Sequence, residues 1–175
     1  RELARMFRQG GIDLASLPEE EFDNPLGIGT GAGTIFGTTG GVMEAALRTA
    51  AAWLEPDKPM PRIEFEEVRG VPGQVREATL EIDGLRLNVA IANSLAAAGW
   101  VMEQITSGAK QYHFVEIMGC PGGCIGGGGQ PIPAEGPNAL DKVRRARIAS
   151  LYTIDERMTI RRSHENPAIQ QLYAE

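Results

Sequence analysis

The sequence predicts an α/β fold, in which a mainly parallel sheet is flanked by helices and carries a β-hairpin. Residues 40–54 place apolar side chains at helical spacing. Residues 76–82 and 85–92 alternate apolar and polar side chains on either side of an Asp-Gly dipeptide, which is typical of a two-residue hairpin turn. A helical pattern over 94–107 and a run of β-formers over 112–118 come next, so that strand, helix and strand follow one another as in α/β proteins.

The other segments are predicted from the residues that begin and end them. A short helix over residues 1–9 is closed by the Gly-Gly pair that follows it. After two prolines, residues 62–68 alternate like a strand, and the β-formers of 112–118 predict a largely buried one. A charged helix is expected over 138–155, and the polar tail over 158–175 shows no core face of its own.

Length and charge describe one globular domain or a large part of a bigger one. The 175 residues include 17 Lys and Arg against 23 Asp and Glu, which gives a formal charge of −6. Nucleic acid is therefore a poor partner, because its binding depends on clustered cations. The longest apolar stretch, 95–102, is far shorter than the roughly 18 to 20 residues of a membrane-spanning helix.

The two ends of the sequence suggest a piece of a longer polypeptide. The chain starts at Arg1, inside an amphipathic stretch, and stops at Glu175 while a helix-like stretch is still running. The two cysteines, Cys120 and Cys124, are too few for a disulfide framework, and a chain of this size folds without one. We therefore expect a reducing compartment, and the predicted location is the cytoplasm.

The segment richest in chemistry is 118–131, with the sequence MGCPGGCIGGGGQP. Thiolates are the ligands of iron–sulfur clusters, and two of them on a short turn after a strand can face one inorganic core. Cys120 and Cys124 are separated by three residues rather than two, which disfavours a thioredoxin-type pair and the usual zinc knuckle. Glycines 126–129 allow the main chain to approach a bulky ligand. The alternative is a flexible loop whose thiols bind nothing.

An earlier glycine cluster, residues 27–41, formally contains the dinucleotide-binding pattern at Gly27, Gly29 and Ala32. That pattern requires a preceding strand, and the sequence before it, PEEEFDNPL, is not one. We interpret the cluster as a loop that packs against the helix beginning near Gly41.

Structural roles are the better interpretation of the isolated titratable residues. His113 is expected on a buried strand and His164 in the polar tail, and neither has the companion residues of a metal site. The carboxyl groups of Glu44 and Glu116 are candidates for carrying protons to or from a reaction site, but a hydrogen-bonded or helix-surface role is favoured for both.

Three arginines form a cluster on the predicted charged helix. We interpret them as a solvated helix face, with a docking surface for an acidic, ferredoxin-like partner as the less favoured alternative. The three are Arg144, Arg145 and Arg147.

Three stretches together resemble one family. The segment MGCPGGCIGGGGQP is similar to the third cluster-binding signature of the iron-iron (FeFe) hydrogenases, MxCPGGCxxGGGQP. The stretch NPLGIGTGAGTIFGTTGGVMEAALRTA resembles the family's segment upstream of that signature, and SHENPAIQQLYAE resembles its small-subunit or C-terminal region. The resemblance covers essentially the whole chain. It implies one lobe of a two-lobed catalytic domain, with residues 1–157 in the large-subunit lobe and 158–175 beginning the small-subunit-like region.

The resemblance also implies a cofactor and a reaction, the reversible combination of two protons and two electrons to H2. The family's H-cluster is a 4Fe-4S cubane joined through one cysteine sulfur to a two-iron unit with carbonyl, cyanide and bridging dithiolate ligands. By position in the motif, Cys120 resembles a cubane ligand and Cys124 the bridging cysteine. Met118 resembles the methionine beside the two-iron unit, and Phe36 with Gly37 resembles another wall of that pocket.

Two departures from the family pattern qualify this expectation. Gly119 stands where many relatives have Ala. More seriously, the family's TSCCPxW and PCxxKxxE motifs, which supply two further cubane cysteines and a proton-relaying thiol, are absent from this sequence. We therefore expect the chain alone to retain no H-cluster and to be inactive.

The implied partners and rivals follow from the same resemblance. The partners are the N-terminal half of the catalytic domain and ferredoxin or NAD-linked electron-transfer subunits. The rival functions are a hydrogenase-like iron–sulfur assembly protein and a hydrogen sensor without turnover.

Overall fold

The computed structural model describes residues 2–21, 28–59, 63–69 and 74–174. Within these ranges the helices are α1 (Glu2–Gln9), α2 (Gly31–Ile35), α3 (Gly41–Leu54), α4 (Leu95–Thr106), α5 (Leu140–Arg157) and α6 (Pro167–Ala174). The strands are β1 (Glu66–Glu67), β2 (Gln74–Ile82), β3 (Leu85–Asn93) and β4 (Phe114–Met118). Single 3-10 turns lie at Leu14–Ser16, Cys124–Gly126, Pro137–Ala139 and Ser163–Glu165.

The described strands form one mixed sheet in the order β1-β2-β3-β4. The predicted hairpin is confirmed, with Ile82 paired to Leu85 around Asp83 and Gly84. Both turn residues have positive φ, 51° and 72°, as a two-residue turn between right-twisted strands requires. The α/β class is confirmed, but the prediction of a mainly parallel sheet is wrong. The hairpin is antiparallel by construction and β1 extends it antiparallel, so β3 and β4 form the one parallel pair described.

Helices cover both faces of this sheet. On one face, α3 contributes Met43, Leu47 and Ala51 to the main core, where they meet side chains of β2 and β3. On the other face, α4 contributes Ala97 and Val101 to a second cluster with further residues of the same two strands. The period of two along each strand sends alternate residues to the two helices. The strand partners are Ala78, Leu80, Ile82, Val89 and Ile91 on the α3 face, and Val75 and Ala92 on the α4 face.

Several predicted elements change in detail. The glycine-rich loop before α3 contains the short helix α2, begun by Thr30, whose hydroxyl accepts the Gly33 N–H at 3.0 Å. Only Glu66–Glu67 of the predicted strand 62–68 is a strand, and residue 62 lies outside the described residues. Gly27, the first residue of the rejected dinucleotide pattern, also lies outside them.

The described part of the polar tail, residues 158–174, contributes no side chain to either core cluster, but backbone hydrogen bonds attach it to α2. The first two N–H groups of α2, on Gly31 and Ala32, donate to the carbonyls of Ile160 and Arg161 at 2.9 and 3.0 Å. These amides have no partner within their own helix, so the tail satisfies them. The tail then ends in helix α6.

A buried ion-pair network connects α5 to α3. Asp155 is fully buried, and both its oxygens accept from Arg48 on α3, at 2.7 and 2.8 Å. Arg161 donates to the same carboxylate at 2.7 Å. Burial alone would raise the pKa of Asp155, but the hydrogen bonds from the two arginines outweigh it and lower this pKa to about 2. The C-terminal third of the chain is thereby packed onto the rest.

The network extends to the carboxylate of Glu44. Its two oxygens accept from Arg48 and from the hydroxyl of Tyr152, each at 2.7 Å. Burial and the hydrogen bond to Glu44 raise the pKa of Tyr152 above its usual value. Glu44 therefore has a structural role, as favoured above. None of the helices in the described ranges is long and apolar enough to cross a membrane.

Candidate metal centre

The cysteine loop begins where the two parallel strands end. Asn93, the last residue of β3, pairs with Met118, the last residue of β4. The Met118 carbonyl accepts the Ser94 N–H at 2.8 Å, and the Asn93 side chain donates to the Cys120 carbonyl at 3.2 Å. The chain therefore leaves the carboxyl edge of the sheet with its direction set on both sides, at a place where α/β proteins commonly bind ligands.

The turn between the cysteines depends on two glycines with positive φ. Gly122 and Gly123 have φ of 83° and 93°. The Gly122 carbonyl accepts the Thr39 N–H at 3.0 Å, and a Cβ on Gly123 would lie 2.6 Å from that same Thr39 nitrogen. A side chain at position 123 would therefore be strained by its backbone conformation and would also clash with the chain that packs against it.

The loop is also attached to the segment that precedes α3. Ile125, which is buried, donates its N–H to the Gly37 carbonyl at 3.1 Å. Thr39 donates its hydroxyl to the Asn93 side-chain oxygen at 2.8 Å, and Arg76 donates to the Thr39 carbonyl at 3.1 Å. The two glycine-rich segments thus form one unit, although the hydrogen-bonded residues Thr39 and Gly122 are 83 positions apart in the sequence.

The side chains of Cys120 and Cys124 are free and exposed, so they do not pair with each other in an apolar interior. A Cβ on Gly127 would lie 3.7 Å from the Cys120 sulfur, and nothing lies within 4 Å of a Cβ on Gly128 or Gly129. Two available thiols beside a backbone ribbon without side chains fit half of a cubane ligand set. Among the described residues there is no group of three or more His, Cys, Asp and Glu side chains that could hold a metal ion.

The other predicted site residues, Met118, Gly37 and Phe36, differ in their burial and in their contacts with the cysteine loop. Met118 is half-buried directly before the loop. Gly37 contacts it through the hydrogen bond to Ile125, and a Cβ on Gly37 would lie 2.9 Å from Leu151 of α5. Phe36 is 45% exposed, so much of its ring is not covered by the described residues.

The buried carboxylate of Glu116, on β4, has a hydrogen-bonded structural role, as favoured above. Glu116 is the buried residue of this strand, and its two oxygens accept the N–H groups of Gly40 and Met43 at 2.6 and 2.8 Å. A carboxylate at a helix N-terminus is favoured by the helix dipole and satisfies amides that the helix leaves free. Glu116 therefore anchors α3 beside the cysteine loop. The prediction of a largely buried strand is wrong, because Phe114 and Val115 are only half-buried and Ile117 is exposed.

The two histidines have the structural roles favoured above. The expected position of His113 on a buried strand is wrong, because this residue precedes β4 and is exposed. Its Nδ1 atom accepts the Asn88 N–H at 3.0 Å. His164 has its Nδ1 atom 3.1 Å from the Thr49 hydroxyl, and its ring lies 5.6 Å from that of Trp53.

The interpretation of the three arginines as a solvated face is wrong for two of them. Arg147 donates to the carbonyls of Ile125 and Pro131 at 2.9 and 2.8 Å. Arg144 pairs with Asp141 at 2.8 Å, and its side chain packs within 3.4 Å of a Cβ built on Gly122. Arg145 is exposed. The helical spacing of 144, 147 and 151 places these residues on one face of α5, and that face covers the loop.

Comparison with known proteins decides the family. The model of the iron only hydrogenase large subunit, C-terminal domain, matches residues 1–128, and the model of the iron hydrogenase small subunit matches residues 141–175. The chain belongs to the iron-only hydrogenase family. The iron hydrogenases among its relatives imply an iron–sulfur cofactor for this chain, which is called the hydrogenase segment below.

Two relatives show the extent of the similarity. Over 99% of this hydrogenase segment, identity is 44% to the NADP-reducing hydrogenase subunit HndD of Solidesulfovibrio fructosivorans and 43% to iron hydrogenase 1 of Clostridium pasteurianum. A solved FeFe hydrogenase variant from Chlamydomonas reinhardtii is 41% identical over 99% of the segment, with a TM-score of 0.72. The segment spans 28% and 30% of the two relatives and 49% of the solved chain.

Two further relatives bear on the rival expectations. A large subunit from Nitratidesulfovibrio vulgaris, 42% identical over 86% of the segment and 35% of its own length, is named as periplasmic. The cytosolic Fe-S cluster assembly factor narfl of Xenopus tropicalis is 32% identical over 99% of the segment and 36% of its own length. The hydrogenases are therefore more similar to this segment than the assembly factor is.

Proposed function

We propose that this chain is part of the catalytic domain of an FeFe hydrogenase, which interconverts H2 with two protons and two electrons. The observation that carries the proposal is the pair of free, exposed thiols, Cys120 and Cys124, on a glycine ribbon at the carboxyl edge of the parallel strands. The membership of the family and the match of the loop to its cluster-binding signature support the same assignment.

The two thiolates have different roles in this proposal. Cys120 would hold the cubane, and Cys124 would hold both the cubane and the two-iron unit. When bound, the H-cluster supplies the redox chemistry that combines protons and electrons. The chain's contribution is to present both sulfurs from a loop whose two flanking carbonyls, on Met118 and Cys120, are already hydrogen-bonded.

Apolar residues would form the walls of the pocket. Met118 at the base of the loop and Phe36 with Gly37 beside it exclude water and competing ligands from the two-iron unit. Their side chains carry no titratable group, so they neither donate nor accept the reacting protons. Phe36, which is 45% exposed here, becomes covered when the pocket is complete.

The division of the chain at residues 157 and 158, between the large-subunit lobe and the small-subunit-like region, belongs to this proposal. So do its cytoplasmic location and its electron partner, a ferredoxin or an NAD-linked subunit. The remaining cubane thiols come from the N-terminal half of the catalytic domain.

A reconstitution experiment tests the proposed function. This chain is combined with an N-terminal half that carries the TSCCPxW and PCxxKxxE motifs, the cofactor is inserted anaerobically, and H2 evolution is measured with infrared bands of carbonyl and cyanide. Both signals are expected for the complete pair, and Cys124→Ser should remove them. Lys142→Ser, at an exposed position of α5, is the control and should keep both. An active Cys124→Ser pair would overturn the proposal.

The similarity to an iron–sulfur assembly factor makes that function the second candidate. An assembly protein would retain the cubane in the same experiment but show no diatomic infrared bands. A hydrogen sensor would show the bands without useful turnover. The closer similarity to hydrogenases and the intact GGGGQP sequence favour the enzyme.

A further inference from the structure

Helix α5 carries one side chain that contacts both ends of the glycine ribbon. The Nη1 atom of Arg147 donates to the Ile125 carbonyl at 2.9 Å, and its Nη2 atom donates to the Pro131 carbonyl at 2.8 Å. Ile125 directly follows Cys124, and Pro131 closes the ribbon. One guanidinium therefore joins the two points between which the backbone bulges toward the thiols.

The N–H groups of Gly126 and Gly127 donate to the carbonyls of Gly123 and Cys124 at 2.9 and 3.0 Å, so the start of the ribbon is held within the turn between the cysteines. Four of the five residues 126–130 are glycines, so ordering this segment costs more backbone entropy than for other sequences. The Gln130 N–H reaches the Gly127 carbonyl at 3.4 Å, which is a long hydrogen bond. Bonds from a charged donor are about twice as strong as neutral ones, and a planar fork fixes the separation of its two acceptors.

The position of the ribbon affects the surroundings of a thiol. A Cβ on Gly127 would touch the Cys120 sulfur at 3.7 Å, so the Gly127 backbone lies against that sulfur. The reduction potential of an iron–sulfur cluster depends on backbone hydrogen bonds to its sulfurs and on their exposure to solvent. Movement of the ribbon would change how far the Cys120 sulfur is exposed to solvent.

We propose that Arg147, on α5, is a positioning residue for the cluster-binding loop. Its guanidinium holds Ile125 and Pro131 together and thereby sets the distance of the ribbon from the Cys120 sulfur. The effect on the cluster rests on the proposed function, whereas the effect on the ribbon does not.

Hydrogen exchange on the 175-residue chain tests the effect on the ribbon. Arg147→Gln should speed exchange of the hydrogen-bonded amides of Gly126, Gly127 and Gln130 by about tenfold or more, since the two charge-assisted bonds that hold the ribbon are lost. Arg147→Lys, which keeps the charge but replaces the fork with one ammonium, should give an intermediate rate. Arg145→Gln, an exposed position on the same helix, is the matched control and should match the unaltered chain.

Exchange of the β2 and β3 amides in the same samples reports whether each variant is folded. If Arg147→Gln does not fold, the comparison is made with Arg147→Lys instead. Equal ribbon rates in Arg147→Gln and Arg145→Gln, with the strands protected, would overturn the proposal.

Potentiometric titration of the reconstituted pair tests the effect on the cluster. The midpoint potential of the four-iron signal should shift in Arg147→Gln and not in Arg145→Gln. An unchanged midpoint together with faster ribbon exchange would refute the role toward the cluster. If even the unaltered pair incorporates no iron, the proposed function fails, and the exchange rates still decide whether Arg147 holds the ribbon.

Discussion

Single atoms at a few positions decide how the cysteine loop is shaped. The most constrained is Gly123, where φ is 93° and an added Cβ would lie 2.6 Å from the Thr39 nitrogen. The second glycine of the PGGC motif is therefore required by the conformation and packing of the backbone, whether or not a metal is bound. Gly128, in contrast, has open space where its Cβ would be.

Gly123→Ala should destabilise the chain by about 1 to 3 kcal/mol, because it places a side chain in an unfavourable backbone region and against neighbouring backbone. Gly128→Ala has neither problem and should change the free energy of unfolding by under about 0.5 kcal/mol. Urea denaturation monitored by circular dichroism gives both values. Equal midpoints for the two variants would show that the turn tolerates a side chain.

Among the elements, helix α5 follows the cysteine loop in the sequence and packs back against it. On its inner face, Asp155 accepts hydrogen bonds from Arg48 of α3. Leu151 packs against Gly37, and Arg147 donates to the ribbon. The buried Asp155 carboxylate is surrounded by cationic partners, and removing a buried partner leaves an uncompensated charge. The ionised Asp155 carboxylate is therefore a main connection between α5 and α3, beside the hydrogen bond from Tyr152 to Glu44.

Asp155→Asn should lower the free energy of unfolding at pH 7 by on the order of 3 kcal/mol. Because the folded pKa, about 2, lies below the ordinary value of 3.8, this stabilisation is complete above about pH 5 and is lost as pH falls toward 2. The difference between the two proteins should therefore shrink over that range. Urea titrations at several pH values measure it.

Glu103→Gln, which changes an exposed carboxylate on α4, serves as the control and should follow the unaltered chain at every pH. A stability difference for Asp155→Asn that stays constant down to pH 2 would contradict the ionised network.

At the scale of the whole molecule, the chain has two free, exposed thiols and several large apolar side chains that are exposed to solvent. On α4, Leu95 is 84% exposed and Met102 is 51% exposed, although the helix packs its other face on the sheet. Both features agree with a chain that spans about half of its solved relatives.

The chain purified alone under anaerobic conditions should contain well under one iron atom per molecule, because two thiolates satisfy half of the four positions of a cubane. Iron is measured by a colorimetric assay, with Cys120→Ser as the background. A stoichiometric four-iron spectrum on the isolated chain would refute the half-site interpretation.

The sequence by itself determined the features that depend on neighbours along the chain. The period of apolar residues predicted α3, the Asp-Gly turn predicted the hairpin, and the spacing of Cys120 and Cys124 among glycines predicted the thiol loop. Each of these signals is local, because a helical turn, a hairpin turn and a glycine-rich loop each involve only a few consecutive residues.

Only the tertiary structure decided which polar groups would be buried and what they would hold. Glu116 is 73 and 76 residues from the amides it accepts, Asp155 is 107 residues from Arg48, and Arg147 is 22 residues from Ile125. A charged residue on a helix looks solvated until another segment packs against it. Burial then makes an unpaired polar group costly, so the partner that the fold supplies decides its role.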